Sequence, residues 1–159
     1  MAEVGFVFEI EGERLIDRRL SRFGENITDL RPFWTEIFDD LNKLTGQQFK
    51  SEGSRSRGWA PLSLAYSAWK ATHGGGRILE LTGRLRASLA EQTADSIRES
   101  RPMEMRFGTR VPYAGFHQRG TRRMPRRRPI DINEGDRRRW MKFLQRFVVA
   151  QAQAAGRLA

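Results

Sequence analysis

The sequence predicts an α+β fold, in which a small antiparallel sheet packs against several helices and carries an extended Arg/Pro-rich arm and a long C-terminal helix. Apolar residues alternate along residues 4–10 and again within residues 95–108, which is typical of half-buried strands. Elsewhere apolar residues recur every three to four positions, which is typical of helices. Because the order is strand, helices, strands and helix, an α+β class is favoured over a parallel α/β sheet.

The first half predicts one strand and two helices. Residues 4–10 form the strand, and the apolar spacing of Glu13–Phe23 predicts a short helix. A longer helix begins after Thr28 or Asp29, either of which can cap it, and reaches about Lys50. The apolar stripe of this helix is wide enough to be core, and it consists of Leu30, Trp34, Ile37, Leu41 and Leu44.

Two short helices are predicted after the polar loop 51–58. Pro61 opens the first helix, which ends at the triple glycine 74–76. Its apolar residues at i, i+4 and i+7 are Leu62, Tyr66 and Trp69. The second helix has Thr82 as a candidate cap and three leucines facing inward, namely Leu81, Leu85 and Leu89.

A β-hairpin and a long helix complete the predicted elements. Residues 95–108 form the hairpin, with three alternating apolar residues on its second arm, Met103, Met105 and Phe107. Asn133 or Asp136 caps the last helix. The stripe of that helix is Trp140, Phe143, Leu144, Phe147, Val148 and Gln151.

Length and composition predict one domain over residues 1–159. Within it, residues 1–58 carry a strand and helices, 59–130 the core and the arm, and 131–159 the C-terminal helix. The chain has no cysteine, which excludes disulfides and thiolate metal sites. It also shows neither a signal peptide nor a membrane-spanning run, so we expect it in the cytoplasm when it is made.

Positive charge is concentrated in the second part of the chain. Residues 1–59 have a net charge of −2, whereas residues 60–159 have a net charge of +12. Only four of the 29 basic residues are lysine. Because arginine binds carboxylate and phosphate through forked hydrogen bonds, this bias is compatible with protein interfaces and with nucleic acid.

The stretch Gly108–Pro129 changes from an aromatic-rich half to an arginine-rich half at Gly120. Because prolines favour extended backbone, we expect the arginines of the second half to project from an arm. A solvated basic loop is an equally open interpretation. We predict that these arginines, with three more at the start of the last helix, face an interface or a DNA channel: Arg119, Arg122, Arg123, Arg126, Arg127, Arg128, Arg137, Arg138 and Arg139.

Signatures of catalysis are weak. The triple glycine lacks the Lys-Ser/Thr of a phosphate-binding loop, so a helix end is the better interpretation. His117 lies close to no carboxylate in sequence, and we predict a structural histidine hydrogen-bonded beside Gln118. We therefore predict no catalytic residue, no metal and no cofactor.

Five motifs in one order resemble the virion morphogenesis or tail completion proteins of Mu-like and related tailed phages. They are Trp59-x-Pro61-Leu62-Ser63 with Tyr66 and Lys70, Leu81-Thr82-Gly83-x-Leu85-x-x-Ser88, Gly108-Thr109, Tyr113-Ala114-x-x-His117-Gln118-x-Gly120, and Pro125-x-Arg127-x-Pro129. The resemblance covers about residues 59–130. After Pro129 the chain departs from the family pattern with Ile130-Asp131-Ile132.

The resemblance implies a non-enzymatic structural protein of the head-tail junction that assembles as a ring, commonly sixfold, at the head-proximal end of the tail. Its partners would be other copies of itself, tail tube and head-connector proteins, and non-specifically DNA in the channel, with no membrane. The location would be the tail neck of the virion. The motif residues expected to set the fold are Trp59, Pro61, Leu62, Tyr66, Gly83, Tyr113, His117, Gln118 and Gly120. The alternative hypothesis is a basic nucleic-acid-binding accessory protein of packaging.

Overall fold

The computed structural model describes residues 4–9, 27–55 and 57–154. Within these ranges the chain has three strands and five helices: β1 (Val4–Glu9), α1 (Arg31–Lys50), α2 (Leu64–His73), α3 (Arg84–Ala90), β2 (Ser96–Ser100), β3 (Glu104–Thr109), α4 (Ala114–Arg119) and α5 (Glu134–Ala154). The strand order is β1-β3-β2, and β2 and β3 form the predicted hairpin. The α+β prediction is confirmed. The helix predicted at Glu13–Phe23 lies outside the described residues.

The chain divides into two units, and the division runs through α1 and through each strand. Among the described residues, the first unit contains 4–6, 40–97 and 107–131, and the second contains 7–9, 27–39, 98–106 and 132–154. The predicted boundaries at residues 58 and 130 stay predictions.

In the core of the first unit, the second half of α1 packs against α3. Thr45 Oγ1 donates a hydrogen bond to the backbone oxygen of Leu41 at 2.8 Å and is 3.0 Å from that of Leu89. Gly46 faces Ala90, so the two helices approach closely at this point. The buried apolar side chains of this unit include Leu44, Phe49, Trp59, Leu85, Phe107 and Val111.

The second unit has its core between the first half of α1 and α5. The ring centroids of Phe33 and Phe147 are 6.3 Å apart, and an exposed ion pair joins Glu36 to Arg146 at 2.6 Å. The predicted cap of α5 is present in reciprocal form, because Asn133 Oδ1 accepts from the Asp136 N–H at 2.9 Å and Asp136 Oδ2 accepts from the Asn133 N–H at 3.0 Å. The buried stripe of α5 is Trp140, Leu144, Val148 and Ala152.

Several predicted positions differ from the structure. Helix α2 begins at Leu64 and not at Pro61, because Ser63 caps it by accepting from the Tyr66 N–H. Leu81, predicted to face inward, is exposed, and Met103, placed on the second arm of the predicted hairpin, lies just before β3 and is exposed. On α5, Gln151 is exposed and Ala152 takes the buried position, since burial follows every fourth residue at that end of the helix. Helix α2 does end at the triple glycine, with Gly74 as its C-cap.

Candidate assembly surface

Arg127 anchors the arginine-rich segment to the motif around Trp59. Its Nε donates to the backbone oxygen of Ala60 at 2.7 Å and its Nη2 to that of Pro61 at 2.8 Å. The side chain is only 7% exposed, and burial lowers the pKa of its guanidinium. The expectation that all six arginines project from an arm is therefore wrong at Arg127.

Arg128 extends this attachment through its backbone. Its carbonyl oxygen accepts hydrogen bonds from Trp59 Nε1 at 3.0 Å and from Gln48 Nε2 at 3.2 Å. Its guanidinium lies 3.1 Å from Asp131. The first and the last motif of the resemblance are thus joined by direct hydrogen bonds.

The motif on α4 also holds the arginine-rich segment. The Gln118 amide is paired with the backbone of Ile130, donating to its oxygen at 2.8 Å and accepting from its N–H at 3.3 Å. The His117 backbone oxygen accepts from the Arg127 N–H at 2.9 Å. Gly120 has φ +76°, and a Cβ there would lie 3.0 Å from the backbone nitrogen of Arg126. A left-handed glycine is required where the chain turns back.

His117 is half-buried and packs edge-on against Tyr113, with ring centroids 6.0 Å apart. Burial lowers the pKa of His117, and the charge of Arg127 lowers it further. Its Nδ1 has no hydrogen-bond partner among the residues that the structure describes, so the hydrogen bond predicted for this histidine is not made at that nitrogen. The environment favours the neutral imidazole.

Two other motifs meet in a buried hydroxyl pair. Ser88 Oγ and Thr109 Oγ1 are 2.7 Å apart, and both side chains are buried. Thr109 Oγ1 also accepts from the Val111 N–H at 3.1 Å, which fixes the turn after β3. This contact links α3 to the end of the hairpin.

Four of the six clustered arginines lie on what we call the arginine tip, residues 119–126. It turns at an isolated antiparallel bridge between Thr121 and Met124. All four side chains are exposed, and none has an ion pair or side-chain hydrogen bond within residues 27–55 and 57–154. They are Arg119, Arg122, Arg123 and Arg126.

The three arginines of α5 differ among themselves. Arg139 lies 3.0 Å from the buried Asp136, and Arg138 lies 3.9 Å from Glu134. Arg137 is exposed and has no side-chain partner in the described part of the chain. Only Arg137 therefore retains an uncompensated charge at the start of this helix.

An apolar groove of about 930 Å³ opens on the first unit beside the arginine tip. Its walls come from α2, α3, α4 and the tip, and they include Leu62, Tyr66, Leu81, Tyr113 and Met124. Leu81 is 41% exposed and Tyr113 is 39% exposed, so large apolar side chains face solvent here. Exposed apolar clusters of this kind mark binding surfaces.

Helix α2 presents an aromatic stack on its outer side. The rings of Tyr66 and Trp69 lie 5.5 Å apart, and those of Trp69 and His73 lie 4.6 Å apart, with interplanar angles of 18° and 11°. Leu64 is 91% exposed, and the single buried side chain of α2 is Lys70. The residues whose spacing predicted this helix therefore lie largely at the surface.

Lys70 lines the groove, is buried, and donates through Nζ to the backbone oxygen of Arg77. Burial lowers the pKa of Lys70, while the carboxylates of Glu80 and Glu52 oppose this shift. No pattern in the sequence separated this lysine from exposed ones.

A second, polar cavity of about 420 Å³ is lined by Arg57, Gly58, Trp59, Arg126, Arg128 and Asp131. Three guanidinium groups with one carboxylate give it a net positive charge, which is suited to an anion. No group of His, Cys, Asp or Glu in the described ranges is arranged to hold a metal ion. None of the helices described has the length and apolar character needed to cross a membrane.

Comparison with known proteins identifies the class that this fold and this surface represent. A family model described as the phage virion morphogenesis family matches residues 12–148. The chain belongs to that family, and its role is in the structure and morphogenesis of the phage virion. No curated protein and no solved structure matches the chain.

Proposed function

We propose that this protein is a structural component of the phage head-tail junction, which assembles as a closed ring at the head-proximal end of the tail and acts as a tail completion or terminator protein. The observation that carries the proposal is the coexistence, on one unit, of exposed aromatic side chains and four arginines whose side chains have no partner among the described residues. Surfaces that combine exposed aromatics with arginine are typical of interfaces. Such a ring is non-enzymatic and needs no cofactor.

Ring closure requires a heterologous interface, in which one patch meets a different patch on the neighbouring copy. The arginine tip is suited to this role because its four guanidinium groups are exposed and have no partner in the described part of the chain. Six copies are expected, as in the proteins that the motifs resemble. A virion location at the tail neck follows from the same proposal.

Light scattering and negative-stain imaging of the purified protein, alone and with isolated tails, test this function. We expect a ring in at least one of these samples. Reversing the tip charges with Arg122→Glu and Arg126→Glu should abolish it, because like charges then face the complementary patch. Lys43→Glu, an exposed change on α1, is the control and should leave assembly intact. A protein that stays monomeric and binds no tail contradicts the proposal.

A second candidate function, non-specific binding of duplex DNA, is favoured by the positive cavity beside Arg57, Arg126 and Arg128. It predicts binding that weakens with salt, with a slope of roughly −0.9 per phosphate neutralised. Replacing Arg57, Arg126 and Arg128 by alanine should weaken DNA binding and flatten this slope. If these changes abolish tail assembly and leave DNA binding unchanged, the DNA-binding function is refuted.

A further inference from the structure

The lining of the apolar groove carries positive charge that is only partly compensated by carboxylates outside it. It includes Lys70, Arg84, Arg123 and Arg127 but no Asp or Glu side chain. Arg84 is paired with Asp95 at 2.6 Å, whereas Lys70 and Arg127 donate to backbone oxygens. Arg123 has no side-chain partner in the part of the chain that the structure describes. Glu80 and Glu52 act on Lys70 from outside the lining, so the cation that meets a ligand carboxylate without a competing anion among the described residues is Arg123.

The groove also exposes large apolar side chains, which a bound partner would remove from water. Tyr66, Leu81 and Tyr113 each expose about two-fifths of their surface, although they line a concavity. Concave sites with apolar walls and a few fixed polar groups are where short segments anchor one or two large side chains. Phosphate and sugar do not match such walls.

We propose that the groove binds an acidic peptide segment of a different virion protein, with carboxylates toward Arg123 and a leucine or aromatic side chain against Leu81 and Tyr113. Charge complementarity selects this occupant. A second copy of this chain carries a net charge of +10 and is repelled by a positive groove unless a local acidic patch overcomes the repulsion. The inference rests on the role of the family in building the virion and does not depend on ring formation.

Two pairs of like residues allow the groove to be tested against its surroundings, because one member of each pair lines the groove and the other does not. Arg123 lines the groove, whereas Arg122, its exposed neighbour on the tip, does not. Leu81 lines the groove, whereas Leu64, which is even more exposed, does not. All four residues are at the surface, so substitutions at them should leave the fold intact.

The test selects binders from a random peptide library displayed against the full-length protein and measures their affinity by fluorescence anisotropy. We expect the selected peptides to be enriched in Asp or Glu together with Leu, Phe or Trp. Arg123→Glu and Leu81→Asp should each weaken binding about tenfold or more, because each places a negative charge in the groove. Arg122→Glu and Leu64→Asp should change the affinity less than about twofold, since neither residue lines the groove.

Three outcomes overturn the inference. They are a selection that yields no binder, peptides without acidic enrichment, and binding that Arg122→Glu weakens as much as Arg123→Glu does. The same variants distinguish other occupants. If Arg123→Glu and Leu81→Asp instead abolish self-association of the protein, the groove holds a second copy. If a short duplex DNA competes with the peptides at the groove, the site is for nucleic acid. Ring formation is measured separately, so its failure leaves this result interpretable.

Discussion

Replacing Arg127 by alanine should destabilise the fold far more than any other change in the arginine cluster. The side chain makes two charge-assisted hydrogen bonds to the backbone oxygens of Ala60 and Pro61. Hydrogen bonds of a charged donor contribute about 1.5–3 kcal/mol each, so their sum is about 3–6 kcal/mol. Part of this free energy is recovered in the variant, because the buried charge is removed and because Pro61 lies at the surface, where water reaches its carbonyl oxygen. We therefore expect a net loss of about 2–4 kcal/mol.

Urea unfolding followed by tryptophan fluorescence measures this loss, since Trp59 lies in the same network. With a slope of about 1–3 kcal/mol per molar urea, the midpoint should fall by about 1–2 M. Arg127→Lys should give a smaller decrease, because a single ammonium cannot reproduce the forked geometry. Arg126→Ala, at an exposed position, should change the free energy of unfolding by less than about 0.5 kcal/mol. Equal midpoints for Arg127→Ala and Arg126→Ala would refute the anchoring role.

Three further predictions concern the fold around the assembly surface. Gly120→Ala should lower the free energy of unfolding by about 1–3 kcal/mol, because φ is positive there and the new Cβ meets the backbone of Arg126. Thermal unfolding measures this loss. The pKa of His117 is lowered in the fold, so the unfolded chain binds more protons below about pH 6.5 and stability should fall as the pH falls through this range. His117→Gln should reduce that pH dependence in urea titrations. Asn133→Ala removes the cap of α5 and should lower the free energy of unfolding by about 1 kcal/mol in the same urea titrations.

Controls for these predictions come from the same chain. Gly75 also has a positive φ but has open space around it, so Gly75→Ala should cost less than Gly120→Ala. Gln145→Ala, at an exposed position on α5, should be neutral if the effect of Asn133→Ala comes from capping. A wild-type stability that does not change between about pH 5 and pH 7 would contradict the role of His117.

The long helices and the hairpin could be predicted because their apolar periodicity is strong and local. Helix α1 ends at Lys50 as predicted, and the cap at Asn133 was visible in the sequence. The environment of the arginines could not be predicted in the same way. Arg126 and Arg127 are identical in type and adjacent, and what separates them is a pair of backbone oxygens more than sixty residues away.

The apolar stripe of α2 shows a second limit of prediction from the sequence. Leu62, Tyr66 and Trp69 have helical spacing, which predicts that they share a face. Periodicity does not say whether that face packs inside the monomer or stays available to a partner, and here Tyr66 and Trp69 are exposed. Lys70, by contrast, is buried and donates to a backbone oxygen, and no pattern in the sequence predicts this burial.

The alternation of anchored and unpartnered arginines within one loop has an evolutionary consequence. Because Arg127 holds the loop, a substitution at Arg122, Arg123 or Arg126 should leave folding nearly untouched while altering the surface that a partner would meet under the proposed function. Under the proposed function, a phage lineage would then adapt this loop to a changed neighbour in single mutational steps. Selection for assembly and selection for folding would then act on different residues of the same short segment.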